Sequence, residues 1–178
     1  MRLTKPLRAA LIAGAAALAL AAGMIVHLKW RSGTADPAVV SALTLAQFQD
    51  LSGRSGAIRD WHGHVVIVNF WASWCPPCRE EIPGLININR EFAAKGVQVV
   101  GIAVDSAENA RTSAAELKID YPILVAGIEV IDLTRKLGNR VGALPFTVVL
   151  NREGQVIASH LGLISEAQLA RIVTPYSR

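Results

Sequence analysis

Apolar positions along the chain fall into two rhythms, runs apolar on both faces and runs at helical spacing, and the two alternate. Val65 to Phe70 reads Val-Val-Ile-Val-Asn-Phe, which predicts a strand buried in the middle of a sheet. Pro76 and Pro77 fit only a first helical turn. Beyond them Ile82, Leu85, Ile86, Ile88, Asn89 and Phe92 recur at mostly helical spacing, predicting a helix to about Ala94 that bends at Pro83. Val97 to Val104 and Ile123 to Val125 are predicted strands, and Ala107 to Leu117 and Val130 to Leu137 predicted helices. Phe146 to Leu150, the turn Asn151-Arg152-Glu153-Gly154 and Gln155 to Leu161 form a predicted hairpin, and a last helix runs from Glu166 to Val173. Gly53-Arg54-Ser55-Gly56 is a turn signal ahead of a short apolar piece, Ala57-Ile58. Strands alternating with helices, closed by a hairpin and a helix, predict a three-layer α/β domain around a central mixed sheet.

One apolar run belongs to neither rhythm. Ala9 to Leu28 holds 20 uncharged residues, nine of them Ala, and at about 1.5 Å per residue it spans roughly 30 Å, the hydrocarbon thickness of a bilayer. Three basic residues precede it and two follow. That bias predicts a single transmembrane helix over about residues 9–28, with the N-terminus in the cytoplasm and the domain outside. Lys29-Trp30-Arg31 has the character of an interfacial stop, so residues 1–31 read as a signal anchor. Residues 32–41, small and polar, read as a tether, and 42–178 as the domain. A second reading is a cleaved signal peptide, with Ala19-Leu20-Ala21 as the small-x-small cleavage site, which leaves a soluble periplasmic protein. Both readings export the domain.

Composition then removes one class of function. The 178 residues are 52% apolar and carry a net charge of +4 from 18 Lys+Arg against 14 Asp+Glu. Five of those cations lie before residue 32, where there is no acid, so the domain holds 13 cations against 14 acids. A domain so nearly neutral has no electrostatic footprint for a phosphate backbone, and nucleic acid is not an expected partner.

The only two cysteines stand in Trp74-Cys75-Pro76-Pro77-Cys78, between the buried strand and the long helix. Backbone N–H groups and the positive end of the helix dipole favour a thiolate at Cys75. Cys78, one turn in, is close enough to close a disulfide with it. Three readings of the pair stand open: a redox dithiol, a metal site, and an inert structural disulfide. So short a loop removes little unfolded-chain entropy, which argues against the last. A metal site needs more ligands, for which His62 and His64, alternating onto one strand face, are the candidates for zinc or copper.

Val68-Asn69-Phe70-Trp71-Ala72-Ser73-Trp74-Cys75-Pro76-Pro77-Cys78-Arg79-Glu80-Glu81-Ile82-Pro83 resembles the active-site segment of the thioredoxin superfamily, in the version carried by membrane-anchored extracytoplasmic proteins of the TlpA/ResA type. Gly53 to His64 resembles their preceding hairpin, Gly96 to Asp105 their second core strand, Tyr121-Pro122-Ile123-Leu124 a later one, and Gly142-Ala143-Leu144-Pro145 their cis-proline loop. The resemblance implies a thioredoxin-like fold and a periplasmic protein-disulfide reductase tethered to the bacterial inner membrane. Its redox-active CXXC disulfide would be the only cofactor. Cys75 is then the attacking nucleophile and Cys78 the resolving thiol. Trp74, Pro76, Leu144 and Pro145 are implied in substrate binding, with Leu144–Pro145 cis and facing Cys75. Relatives of this kind reduce apocytochrome c before haem attachment, or copper-site proteins of cytochrome oxidase. The implied partners are protein thiols or disulfides and a membrane electron donor, and the chain is expected to act as a monomer.

Two departures bear on substrate recognition. Phe146 follows Pro145 where relatives commonly have Thr, and Asn151 stands where Asp is usual. The acid that cytosolic thioredoxins carry at the strand position of Asn69 is missing, as it usually is in TlpA-like proteins, whose Glu three residues past the second cysteine falls at Glu81. Glu81 shares a helix face with Cys78 at i+3 and is positioned to exchange protons with the cysteines. Taken alone, Glu80-Glu81 also reads as a solvated pair favoured by the helix dipole. Trp71 reads as core, Trp61 as packing for the hairpin, and His27 and His160 as interfacial and surface. The competing function from another class is copper delivery, by the two cysteines together with a histidine.

Overall fold

A computed structural model of the chain describes residues 36–177, and every element below lies within them. Val65–Trp71 (β3) is a strand buried along its whole length, as a run of Val, Ile, Phe and Trp interrupted only by Asn69 requires of a position covered on both faces. It pairs parallel with Val97–Val104 (β4), Val65 opposite Val97 through Trp71 opposite Ala103. On its other side it runs antiparallel to Phe146–Leu150 (β6). Ile123–Ala126 (β5) lies parallel to β4, and Val156–Leu161 (β7) closes the hairpin with β6. Two short strands, Phe48–Asp50 (β1) and Ser55–Gly56 (β2), extend the far edge, giving the order β2-β1-β5-β4-β3-β6-β7.

Helices cover both faces. Pro76–Phe92 (α2), Ala107–Glu116 (α3) and Glu166–Val173 (α5) bury Ile82, Leu85, Ile88, Ala110, Leu169 and Val173 on one side. Pro37–Leu45 (α1) and Val130–Lys136 (α4) bury Val40, Leu43, Val130 and Ile131 on the other. The three layers and mixed sheet are those expected. α2 remains one helix over Pro83, which stands on its exposed side.

Two expectations are corrected. The tether, expected over residues 32–41, contains the start of α1. Asp36 caps that helix, its Oδ1 accepting from the Ala38 N–H at 2.9 Å, Pro37 takes the first-turn position, and Leu43 is fully buried. Only the polar character of the segment argued for a tether, and a cap is polar too. The turn signal at Gly53-Arg54-Ser55-Gly56 proves to be half turn and half strand. Asp50 closes it by accepting from Ser52 and Arg54, with Gly53 at a φ of +84°. The expected transmembrane segment over residues 9–28 lies outside the described residues. Among those described, no helix is long and apolar enough to cross a membrane.

Candidate active site

The parallel strands β3, β4 and β5 all end on the same edge of the domain, and the chain leaving β3 turns there into α2. The turn is held by hydrogen bonds from outside it. Asp105, just past β4, accepts from the backbone N–H of Ser73 at 3.0 Å and from its hydroxyl at 2.6 Å. Partial burial raises the Asp105 pKa, but these bonds and those from Asn109 and Ser106 outweigh it and keep the carboxyl below its ordinary range. Within the turn, the Cys75 N–H donates to the Ala72 carbonyl at 3.2 Å.

Cys75 is the cap of α2 and Cys78 lies in its first turn. Their sulfurs are joined at 2.06 Å, with Cα atoms 5.3 Å apart. The Cys75 sulfur accepts from the Cys78 N–H at 3.3 Å, so the sulfur stands where helix N–H groups and the helix dipole stabilise negative charge. Cys75 is 4% exposed and Cys78 is fully buried, so an attacking partner reaches Cys75. Trp74 beside it is 64% exposed.

One turn further along α2 lies a buried carboxyl. Glu81, one turn after Cys78, is 3% exposed, which rules out the solvated-pair reading for it; Glu80 alone faces water. Asn69 of β3 donates its amide to Glu81 Oε1 at 2.7 Å and to the Thr147 hydroxyl of β6 at 3.0 Å. The backbone N–H of Ile164 donates to Glu81 Oε2 at 3.0 Å. Burial is the larger influence and raises the Glu81 pKa from 4.5 to about 7, against the pull of the two hydrogen bonds. Three other buried polar atoms, Asn69 Oδ1, Trp71 Nε1 and Tyr121 Oη, have no hydrogen-bond partner among the described residues. Gly101, opposite Asn69, leaves room for the Trp71 and Tyr121 rings: a Cβ there would lie 3.0 Å from Trp71 Nε1 and 3.3 Å from the Tyr121 ring.

The other expected residues divide. Leu144–Pro145 is cis, as the loop resemblance implied. The pairing of Phe146 with Phe70 sets Pro145 beside Trp71, at the strand end from which the cysteine turn departs. Leu144 is half-buried, Pro145 buried and Pro76 exposed, and Trp71 is fully buried as expected. Trp61 is half-buried against the core. His62 and His64 do not join the cysteines. They precede β3 while the cysteines follow it, so the seven-residue strand, roughly 20 Å long, separates the sets. Copper held by the two sulfurs with one of these histidines is thereby excluded. Asp105, Asn69, Thr147 and Ile164 are parts of the site that sequence reasoning missed.

With the geometry in place, likeness to other proteins becomes specific. The Redoxin family matches the chain over residues 32–172. Thioredoxin-like protein YneN of Bacillus subtilis is 31% identical over 125 residues, 67% of this chain and 69% of that protein. Thiol-disulfide oxidoreductase ResA of Halalkalibacterium halodurans is 28% identical over 120 residues, 66% of this chain and 65% of the relative's own length. A solved thiol:disulfide interchange protein of the thioredoxin family from Chlorobium tepidum superposes with a TM-score of 0.66 at 30% identity, over 74% of this chain and 92% of that one. The chain belongs to the Redoxin family, as a TlpA/ResA-like thiol–disulfide oxidoreductase of the thioredoxin superfamily.

Proposed function

We propose that the protein works outside the cytoplasm as a reductant of disulfides in exported proteins, apocytochrome c and the copper-site proteins of cytochrome oxidase being the candidate substrates. The observation that carries this reading is the arrangement of one reachable sulfur at a helix cap, one buried sulfur behind it, and a buried carboxyl one turn further. In the reduced protein the Cys75 thiolate, stabilised by the Cys78 N–H, attacks a substrate disulfide and expels one substrate thiolate. The Cys78 thiol then loses its proton and attacks the Cys75 sulfur. The second substrate thiolate leaves and the Cys75–Cys78 disulfide forms, so two electrons have passed to the substrate. In this reading Glu81 takes the Cys78 proton, and a pKa raised to about 7 supports that part near neutral pH.

Trp74, Pro76, Leu144 and Pro145 form the substrate-facing rim in this reading. No cofactor beyond the disulfide is needed, and a dithiol on a membrane protein restores the reduced state. The chain acts as a monomer held at the inner membrane by residues 1–31. Reduction of peptide disulfides by the pre-reduced protein, followed as thiol release, tests the reading. The expected result is one substrate disulfide cleaved per protein, with formation of the Cys75–Cys78 disulfide. A reduced protein that leaves peptide disulfides intact while retaining stoichiometric Cu(I) against a chelator contradicts it.

A further inference from the structure

Both hydrogen bonds that hold Glu81 lead toward β7. Asn69 and His160 each stand opposite Thr147, in the β3–β6 and β6–β7 ladders, so the three side chains share one face of the sheet. Half-buried His160 places its Nε2 3.1 Å from the carbonyl oxygen of Leu163. A carbonyl only accepts, so this ring nitrogen carries the hydrogen and donates it. The peptide unit that accepts this bond is the one whose N–H, that of Ile164, donates to Glu81 Oε2. In a trans peptide the two groups point in opposite directions, so one unit has the imidazole on its outer side and the buried carboxyl on its inner side.

We propose that His160 is a positioning residue for Glu81, acting through the Leu163–Ile164 peptide unit. Donation to the carbonyl polarises the unit and makes the Ile164 N–H a better donor, and that N–H binds a carboxylate more strongly than a neutral acid. The same bond fixes the turn between β7 and α5, which keeps the N–H aimed at Oε2. His160 therefore favours the ionised form of Glu81 against the effect of burial. Of the titratable groups around Glu81, Tyr121 is buried, its phenol raised by burial and by the carboxylates of Glu81 and Asp120. Cys75 and Cys78 are joined in the disulfide. Thr147, which faces His160 from β6, does not titrate. The consequence for catalysis rests on the proton-accepting part given to Glu81 above.

The test follows the Glu81 carboxyl by NMR in the oxidised full-length protein with ¹³C-labelled glutamate side chains, its resonance assigned by Glu81→Gln. His160→Ala is expected to raise the Glu81 midpoint by about half a pH unit. His160→Gln, which keeps a donor nitrogen at the position of Nε2, is expected to bring it back. An unchanged midpoint in His160→Ala overturns the proposal. So does a His160→Gln midpoint equal to that of His160→Ala, because ring packing rather than donation would then hold the turn. The pH profile of cysteine alkylation in the reduced variants separates the two levels. If the Glu81 midpoint moves and the alkylation profile stays, the link is supported and the part of Glu81 in exchange is what fails.

Discussion

Glu81 is an almost fully buried carboxyl, and its protonation couples the active site to stability. Its folded-state pKa of about 7 lies above the ordinary 4.5, so between those values the folded protein keeps a proton that the unfolded chain has released. Stability contributed by the protonated form is therefore present below pH 4.5, falls as pH rises, and levels off above 7, by about 3 kcal/mol at most. Urea unfolding of the oxidised protein, in which no thiol titrates, should give a lower midpoint at pH 8 than at pH 5. Glu81→Gln should flatten that difference; a slope that survives the substitution assigns it to another group. The cysteines were legible at this scale because their spacing and their place at a strand-to-helix junction are local facts. The partners of Glu81 were not. Asn69 is 12 residues away and Ile164 is 83, and only strand register and the path of the turn after β7 bring them to one carboxyl. The i+3 relation to Cys78 pointed Glu81 toward the cysteines, but spacing alone could not separate a buried face from a wet one.

At the scale of elements, segments with a clear apolar rhythm were read correctly and those without one were missed. β4 and α5 have the bounds expected, Val97–Val104 and Glu166–Val173, because apolar periodicity and the caps agree on them. β1 and β2 have three and two residues, too few to carry a period, and α1, though as long as α5, has Val39, Val40, Ala42, Leu43 and Leu45 spread around the helix with no single apolar face to read. α1 is nonetheless part of the core: Leu43 is fully buried on the face formed with Val68, Phe70 and Val148. Leu43→Ala should destabilise the protein by about 2–5 kcal/mol, the usual range for a buried leucine, measured by urea unfolding. Asp36→Ala should cost about 1 kcal/mol through the lost cap. Near-zero effects for both would return residues 37–41 to the status of a tether.

For the whole molecule, the basic charge of the chain sits in the 31 residues expected to anchor it, while the catalytic unit is close to neutral. On the proposed reading the full-length protein should sediment with membranes, and deleting residues 1–31 should release it into the soluble fraction with its thiol–disulfide exchange intact. N-terminal sequencing that finds a soluble chain beginning at Ala22 favours the cleaved signal instead. The central claim, that reachable Cys75 attacks and buried Cys78 resolves, is tested most directly by trapping. Cys78→Ala and Cys75→Ala proteins are each mixed with a disulfide-bonded protein substrate, quenched with acid, and mapped by mass spectrometry. The account predicts that Cys78→Ala accumulates mixed disulfides through Cys75 and that Cys75→Ala accumulates few. Comparable trapping through Cys78, or none through Cys75, would contradict it.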